Sequence, residues 1–143
     1  MDMKHILVID DEPYMRSLLI DLVSDLNVQI DEAEDGVAGL ERLRRCQYHL
    51  VVSDIKMPRM DGIELFENAL KENILTPFIF LTGYSDDEKV LKALRMGAAD
   101  FIAKPFFPIE LSNVIVRILE LGQRRIELSR ELMVSSPHLF KKK

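Results

Sequence analysis

Short apolar runs alternate with amphipathic stretches five times along the first 121 residues. The runs cover residues 5–10 (HILVID), 28–33, 50–52, 77–82 (PFIFLT) and 100–103. Each is short and sharply bounded by polar or breaker residues, which reads as a strand. The second carries acids along its length and is the more exposed one. Between the runs, apolar residues recur at helical spacing. Met15, Leu18, Leu19, Leu22, Val23 and Leu26 follow Pro13, a residue the first helical turn tolerates. Val37, Leu40 and Leu43 mark a second helix up to Arg45, after the turn at Asp35-Gly36. Leu65, Phe66, Ala69 and Leu70 mark a third, from Ile63 to near Glu72. Ser85-Asp86-Asp87-Glu88 has the form of a helix start, Ser85 as cap and acids in the first turn. That fourth helix ends at Met96-Gly97. The last begins near Pro108, with Leu111, Val114, Ile115 and Ile118 on one face.

Five strand–helix repeats predict a parallel sheet with helices on both faces. Residues 1–121 form one domain on this reading, and residues 122–143 form a tail. Leu111, Val114, Ile118, Leu121, Arg125, Leu128 and Leu132 fall at alternating three- and four-residue spacing, a heptad seam containing one arginine. Two readings of the tail stand open. In one, it prolongs the last helix and pairs two copies as a homodimer. In the other, the helix ends near Gly122 and the tail folds back. Ser135-Ser136-Pro137 stops any helix there.

Composition narrows the function classes. In 143 residues, 48% apolar and 30% charged content suffices for a full core. No apolar run approaches the length of a membrane span, and no secretory signal is visible. The single cysteine, Cys46, precludes an internal disulfide, fits a cytoplasmic location and is expected to be a half-buried apolar filler. Residues 1–121 hold 13 basic and 22 acidic side chains, a net of −9; residues 122–143 hold 6 and 2, a net of +4. An acidic body makes nucleic acid an unlikely partner.

In a parallel sheet the carboxyl ends of all strands share one edge, where such sheets bind ligands. Those ends carry Asp10 and Asp11, then Asp54, Thr82 and Lys104. Each alone has a bland reading: a cap with a solvated charge, a turn-starting acid, a strand-end hydroxyl, a surface lysine. Together they describe phosphoryl capture. Crowded carboxylates raise one another's pKa, a conflict that Mg²⁺ removes while leaving a position for a phosphoryl oxygen. Lys104 suits a second such oxygen, Thr82 offers a hydroxyl, and Asp54 is the nucleophile that would form an acyl phosphate.

Four ordered motifs, VIDDEPYMR, VVSDIKMPRMDG, PFIFLTGYSD and GAADFIAKPF, resemble the receiver domain of bacterial two-component response regulators over about residues 3–121. The resemblance implies a flavodoxin-like (βα)5 three-layer sandwich, an α/β fold with parallel sheet order 2-1-3-4-5. It implies Asp54 as phosphoacceptor. It places Mg²⁺ on Asp11, Asp54 and the backbone carbonyl of Lys56, with Asp10 acting largely through water. Thr82 is similar to the family's switch hydroxyl, Lys104 to its phosphate-binding lysine and Phe101 to its switch aromatic; a plain core phenylalanine is the other reading of Phe101. The Lys104-Pro105 bond is expected to be cis. Lys56 and Tyr84 occupy the two positions that tune phosphoryl lifetime. Neither can orient an attacking water, so self-dephosphorylation is expected to be slow.

The implied partners are a sensor histidine kinase or a histidine phosphotransfer protein, and a downstream target on the face formed by the fourth helix, fifth strand and fifth helix. No membrane is implied. Two rivals belong to other classes. Aspartate-nucleophile phosphohydrolases require a second Asp two residues after the first, where this chain has Lys56, so no enzyme beyond self-phosphorylation and self-dephosphorylation is expected. The alternative is a receiver-fold interaction or dimerisation module not regulated by phosphorylation. Its usual mark is loss of the acidic pair, the acceptor Asp or the Lys, and all are present here.

Overall fold

The computed structural model describes residues 3–83 and 86–135. Five strands, β1 (His5–Ile9), β2 (Gln29–Ala33), β3 (Leu50–Asp54), β4 (Phe78–Thr82) and β5 (Asp100–Ala103), form one sheet ordered β2-β1-β3-β4-β5. Every neighbouring pair is parallel, with Ile6 facing Ile30 and Leu50, Asp54 facing Leu81, and Thr82 facing Ala103. The helices are α1 (Pro13–Ser24), α2 (Gly36–Arg45), α3 (Gly62–Lys71), α4 (Asp87–Arg95) and α5 (Pro108–Ser135).

The central strands are apolar at consecutive positions because both sheet faces are covered. Leu7, Ile9, Val51, Phe78 and Phe80 point to one face, where Leu40 and Leu43 of α2, Leu65 and Phe66 of α3 and Ala93 of α4 meet them. Ile6, Val8, Leu50, Val52, Ile79 and Leu81 point to the other, against Leu19 and Val23 of α1 and Leu111, Ile115 and Ile118 of α5. Burying a side chain of this size contributes about 1.5–3 kcal/mol. The edge strand β2 is covered less completely, as its acids require.

Two glycines let the loop after β3 close on its surroundings. A Cβ at Gly62 would lie 2.3 Å from the Asp54 carbonyl oxygen, and a Cβ at Gly36 would lie 2.4 Å from that of Met60. With no Cβ in the way the chain bonds back: the Gly62 amide donates to the Ile55 carbonyl at 2.8 Å, and the Gly36 amide to the Met60 carbonyl at 3.2 Å. Asp61 then starts α3 with a reciprocal capping box with Glu64.

Cys46 is exposed, contrary to the half-buried position expected. It sits at the C-cap of α2 with an extended backbone, past the helical spacing that buries Leu40 and Leu43. The helix α4 begins at Asp87 with Asp86 in the cap position; Ser85 and Tyr84 lie outside the described residues.

Candidate phosphoryl-binding site

Asp10 and Asp11 follow β1, and Asp54 ends β3, the strand beside it. The adjacency brings one ligand atom from each of the three carboxylates within 4.8 Å of the others. Asp54 is held at both oxygens. Its Oδ1 accepts the Ile55 amide at 2.8 Å, and its Oδ2 accepts the Lys104 ammonium at 2.9 Å. Lys104 reaches there from just beyond β5, two strands away, and is followed by a cis bond to Pro105.

Asp10 differs in kind. It is 1% exposed, its Oδ1 accepts the Glu12 amide at 2.9 Å, and its Oδ2 has no hydrogen-bond partner. Burial pushes its pKa up to about 6, against the Glu12 bond, and the neighbouring charge of Asp54 adds to the rise. An orphaned, buried carboxylate oxygen between two further carboxylates is the donor set that a hard divalent cation satisfies. The residues present therefore fit Mg²⁺. Arg16 braces the strand end from below, donating to the Asp10 carbonyl at 2.7 Å.

Thr82 is buried at the end of β4, next along the edge. It lines a cavity of about 650 Å³ together with Gly83, Leu91, Leu94, Phe101 and Lys104. Phe101 is 41% exposed on β5, so it is not a plain core residue in this conformation. Lys56 stands in the loop after β3, its ammonium 4.0 Å from Asp86 Oδ1. The expected set is thus gathered at one edge, apart from Tyr84, which is not among the described residues.

Two features had no counterpart in the sequence reading. The loop carrying Lys56 is fastened by Arg59, whose guanidinium donates to the buried Asp35 at the start of α2 (Nε at 2.8 Å). Burial works to raise the Asp35 pKa, but the Ala38 amide and Arg59 outweigh it and hold it low. Asp86, read only as a first-turn acid, is 2% exposed and turned away from its helix. A signal for it existed in the spacing, since an Asp three residues after a glycine can bond back to that glycine's amide.

Comparison with known proteins agrees with this architecture. The family described as "Response regulator receiver domain" matches residues 6–116. A protein-glutamate methylesterase/protein-glutamine glutaminase of Syntrophomonas wolfei is 38% identical over 120 residues, 82% of this chain and 34% of that protein. The transcriptional regulatory protein FixJ of Bradyrhizobium diazoefficiens is 35% identical over 111 residues, 78% of this chain and 54% of its own length. A crystal structure of a response regulator receiver domain protein from Clostridium thermocellum superposes with a TM-score of 0.79 at 25% identity, covering 84% of this chain and 97% of that one. The chain belongs to the response regulator receiver domain family. It spans about a third to a half of the two curated relatives named, so their further activities stay with them.

Proposed function

We propose that this chain accepts a phosphoryl group on Asp54 from a phosphohistidine on a sensor histidine kinase or a histidine phosphotransfer protein. It then signals through the face formed by α4, β5 and α5. The observation that carries this reading is one arrangement: Lys104 on Asp54 at 2.9 Å, inside a carboxylate triad that includes the orphaned Asp10 oxygen. A structural ion pair would not need two further acids at the same point.

In the transfer, a carboxylate oxygen of Asp54 attacks phosphorus. The bond from phosphorus to the donor's imidazole nitrogen breaks, and the ring, protonated on its other nitrogen, leaves neutral with that electron pair. Asp11, Asp54 and the Lys56 carbonyl would hold Mg²⁺ directly, with Asp10 acting through water. When bound, the ion supplies charge neutralisation for the phosphoryl oxygens. Lys104 lets go of the Asp54 oxygen and pairs with the transferred group, and Thr82 turns its hydroxyl toward it. The half-exposed Phe101, lining the same cavity as Thr82, then has room to move inward, which reshapes the surface of α4 and β5. No second Asp follows Asp54 by two residues, so turnover beyond self-phosphorylation and self-dephosphorylation is not part of this function.

The surface beside the crevice supports a protein donor. Tyr14, Phe107 and Ile109 are 74%, 73% and 67% exposed, and an apolar cavity of about 940 Å³ runs between α1 and α5 from Lys104. A helix bearing the donor histidine would cover them. Among the described residues no helix is long and apolar enough to cross a membrane; the proposed donor and target are cytoplasmic proteins.

A homodimer is part of the proposal. The α5 stripe that packs on the sheet through Leu111, Ile115 and Ile118 continues as Leu121, Leu128 and Leu132, each more than a third exposed. The side chain of Arg125, the polar member of that series, lies outside the described residues. A second copy laid along this stripe would cover it. The competing reading, a receiver-fold module indifferent to phosphorylation, predicts no transfer. Incubation with phosphorylated histidine phosphotransfer proteins and Mg²⁺, followed by peptide mapping, tests the proposal. Label on the Asp54 peptide is expected, and label on no peptide from any donor would refute it.

A further inference from the structure

Asp86 occupies the N-cap position of α4, yet its side chain makes no bond to that helix. Its Oδ2 instead reaches back to accept the Gly83 amide at 2.7 Å, while its own amide donates to the Gly83 carbonyl at 3.3 Å. Asp86 thus bonds to both the amide and the carbonyl of Gly83. Its other oxygen, Oδ1, is buried and has no hydrogen-bond partner, and the Lys56 ammonium stands 4.0 Å from it. A carboxylate 2% exposed and short of one partner is held at a cost, and the first turn of α4 forgoes its cap as well.

The placement of that cost is informative. The Gly83 amide belongs to the peptide that follows Thr82, so a backbone movement that carries Thr82 toward Asp54, beyond the turn of its hydroxyl, reorients the N–H that Asp86 holds. Lys56 lies two residues after Asp54, on the opposite loop. Asp86 therefore ties together the two loops that flank the acceptor.

Resting on the phosphoacceptor reading above, we infer that Asp86 is the latch of the unphosphorylated state. Its carboxylate restrains Gly83, and with it Thr82, until a phosphoryl group on Asp54 draws Thr82 inward. The released carboxylate then has a use one peptide away, as the missing cap of α4. The same oxygens serve Gly83 in one state and the helix in the other, so the element has two alternative arrangements. Lys56 biases it toward the resting one. Asp86 touches neither phosphoryl group nor metal in this scheme and acts through Gly83.

The Gly83 amide resonance reports the latch directly, since a bond to a carboxylate moves an amide proton strongly downfield. The test compares the parent with Asp86→Ser, which can still cap α4 but is too short to hold Gly83 and carries no charge for Lys56. Spectra are taken with Mg²⁺ before and after a small acyl phosphate, and affinity is measured for beryllium fluoride, a tetrahedral phosphoryl mimic. In the parent, the Gly83 proton should start downfield and move upfield on modification. In Asp86→Ser it should lie upfield already, and beryllium fluoride should bind about fivefold more tightly because less of the shift remains to be driven. Asp86→Asn, which keeps an acceptor for Gly83 but no charge for Lys56, should fall between the two. If the parent is modified on Asp54 while its Gly83 proton stays downfield, or if the mimic binds parent and Asp86→Ser equally, the latch is refuted and the acceptor reading stands. If Asp54 is not modified at all, the acceptor reading fails and takes the latch with it.

Discussion

Replacing Asp10 with Asn should stabilise the metal-free protein, and the size of the gain follows from the site. The Asp10 carboxyl titrates at about 6 in the folded chain against 3.8 for an unperturbed group. The native state therefore keeps a proton that the unfolded chain releases between those pH values. Stability falls as pH climbs through this window, and the full cost is in place above it. At 1.36 kcal/mol for each pH unit between the two pKa values, the cost is about 3 kcal/mol at neutral pH. Asn keeps an oxygen for the Glu12 amide and carries no charge, so Asp10→Asn should recover up to that amount near pH 7.5 in a chelator. Urea unfolding measures it; with a slope of about 2 kcal/mol per M, the midpoint should rise by about 1–1.5 M. Near pH 4 the two proteins should unfold together, because Asp10 is then protonated in the folded parent. Saturating Mg²⁺ at neutral pH should narrow the gap, since the parent alone offers the full carboxylate set. A variant no more stable than the parent at neutral pH without metal, or a gain of equal size near pH 4, would refute the reasoning.

Removal of the Lys104 charge as Lys104→Gln takes a cation off Asp54 and should tighten Mg²⁺ binding about tenfold, read by calorimetry; weaker binding would mean that the ammonium organises the triad rather than competing with the ion. Gly62→Ala forces a methyl to within 2.3 Å of the Asp54 carbonyl oxygen and should cost about 3 kcal/mol in urea unfolding; an unchanged midpoint would mean that the loop shifts to admit the methyl at little cost. Ile109→Asp should leave labelling by a small acyl phosphate intact while slowing transfer from a phosphorylated protein donor, and unchanged transfer from the protein donor would put its docking site elsewhere. The acyl phosphate should outlast a gel-filtration step, given Lys56 beside the acceptor; complete loss of label during that step would contradict the expected slow hydrolysis. Leu128→Glu with Leu132→Glu should turn a sedimenting dimer into a monomer, and a parent that is already monomeric at high concentration would rule the α5 pairing out.

Asp10, Asp54 and Lys104 are legible in the sequence because each closes an apolar run, and a parallel sheet brings such ends to one edge whatever the intervening chain does. Which strands are neighbours was not legible from periodicity. The order 2-1-3-4-5 came with the family resemblance, and it is this order that places β1 next to β3 and lets three carboxylates meet. The unusual state of Asp10 against the exposed Asp11 was hidden, because adjacent identical residues differ only in which way the chain turns after β1. Asp86 reads as a first-turn acid because that is the ordinary place of an acid at a helix start; only its three-residue spacing from Gly83 points to the backward bond. The Arg59–Asp35 pair joins loops 24 residues apart, and only the packing of α2 beside the loop after β3 brings them together. The exposure of Cys46 is set at the end of α2, where the chain leaves the helical spacing that buries Leu40 and Leu43.

Intact-mass measurement of the chain after incubation with Mg²⁺ and a small acyl-phosphate donor, beside Asp54→Asn, tests the acceptor assignment without any partner protein. One added phosphoryl group on the parent, absent from the variant and absent when a chelator replaces Mg²⁺, is the expected result. A parent that binds Mg²⁺ and stays unmodified, or a variant modified to the same extent, would contradict it.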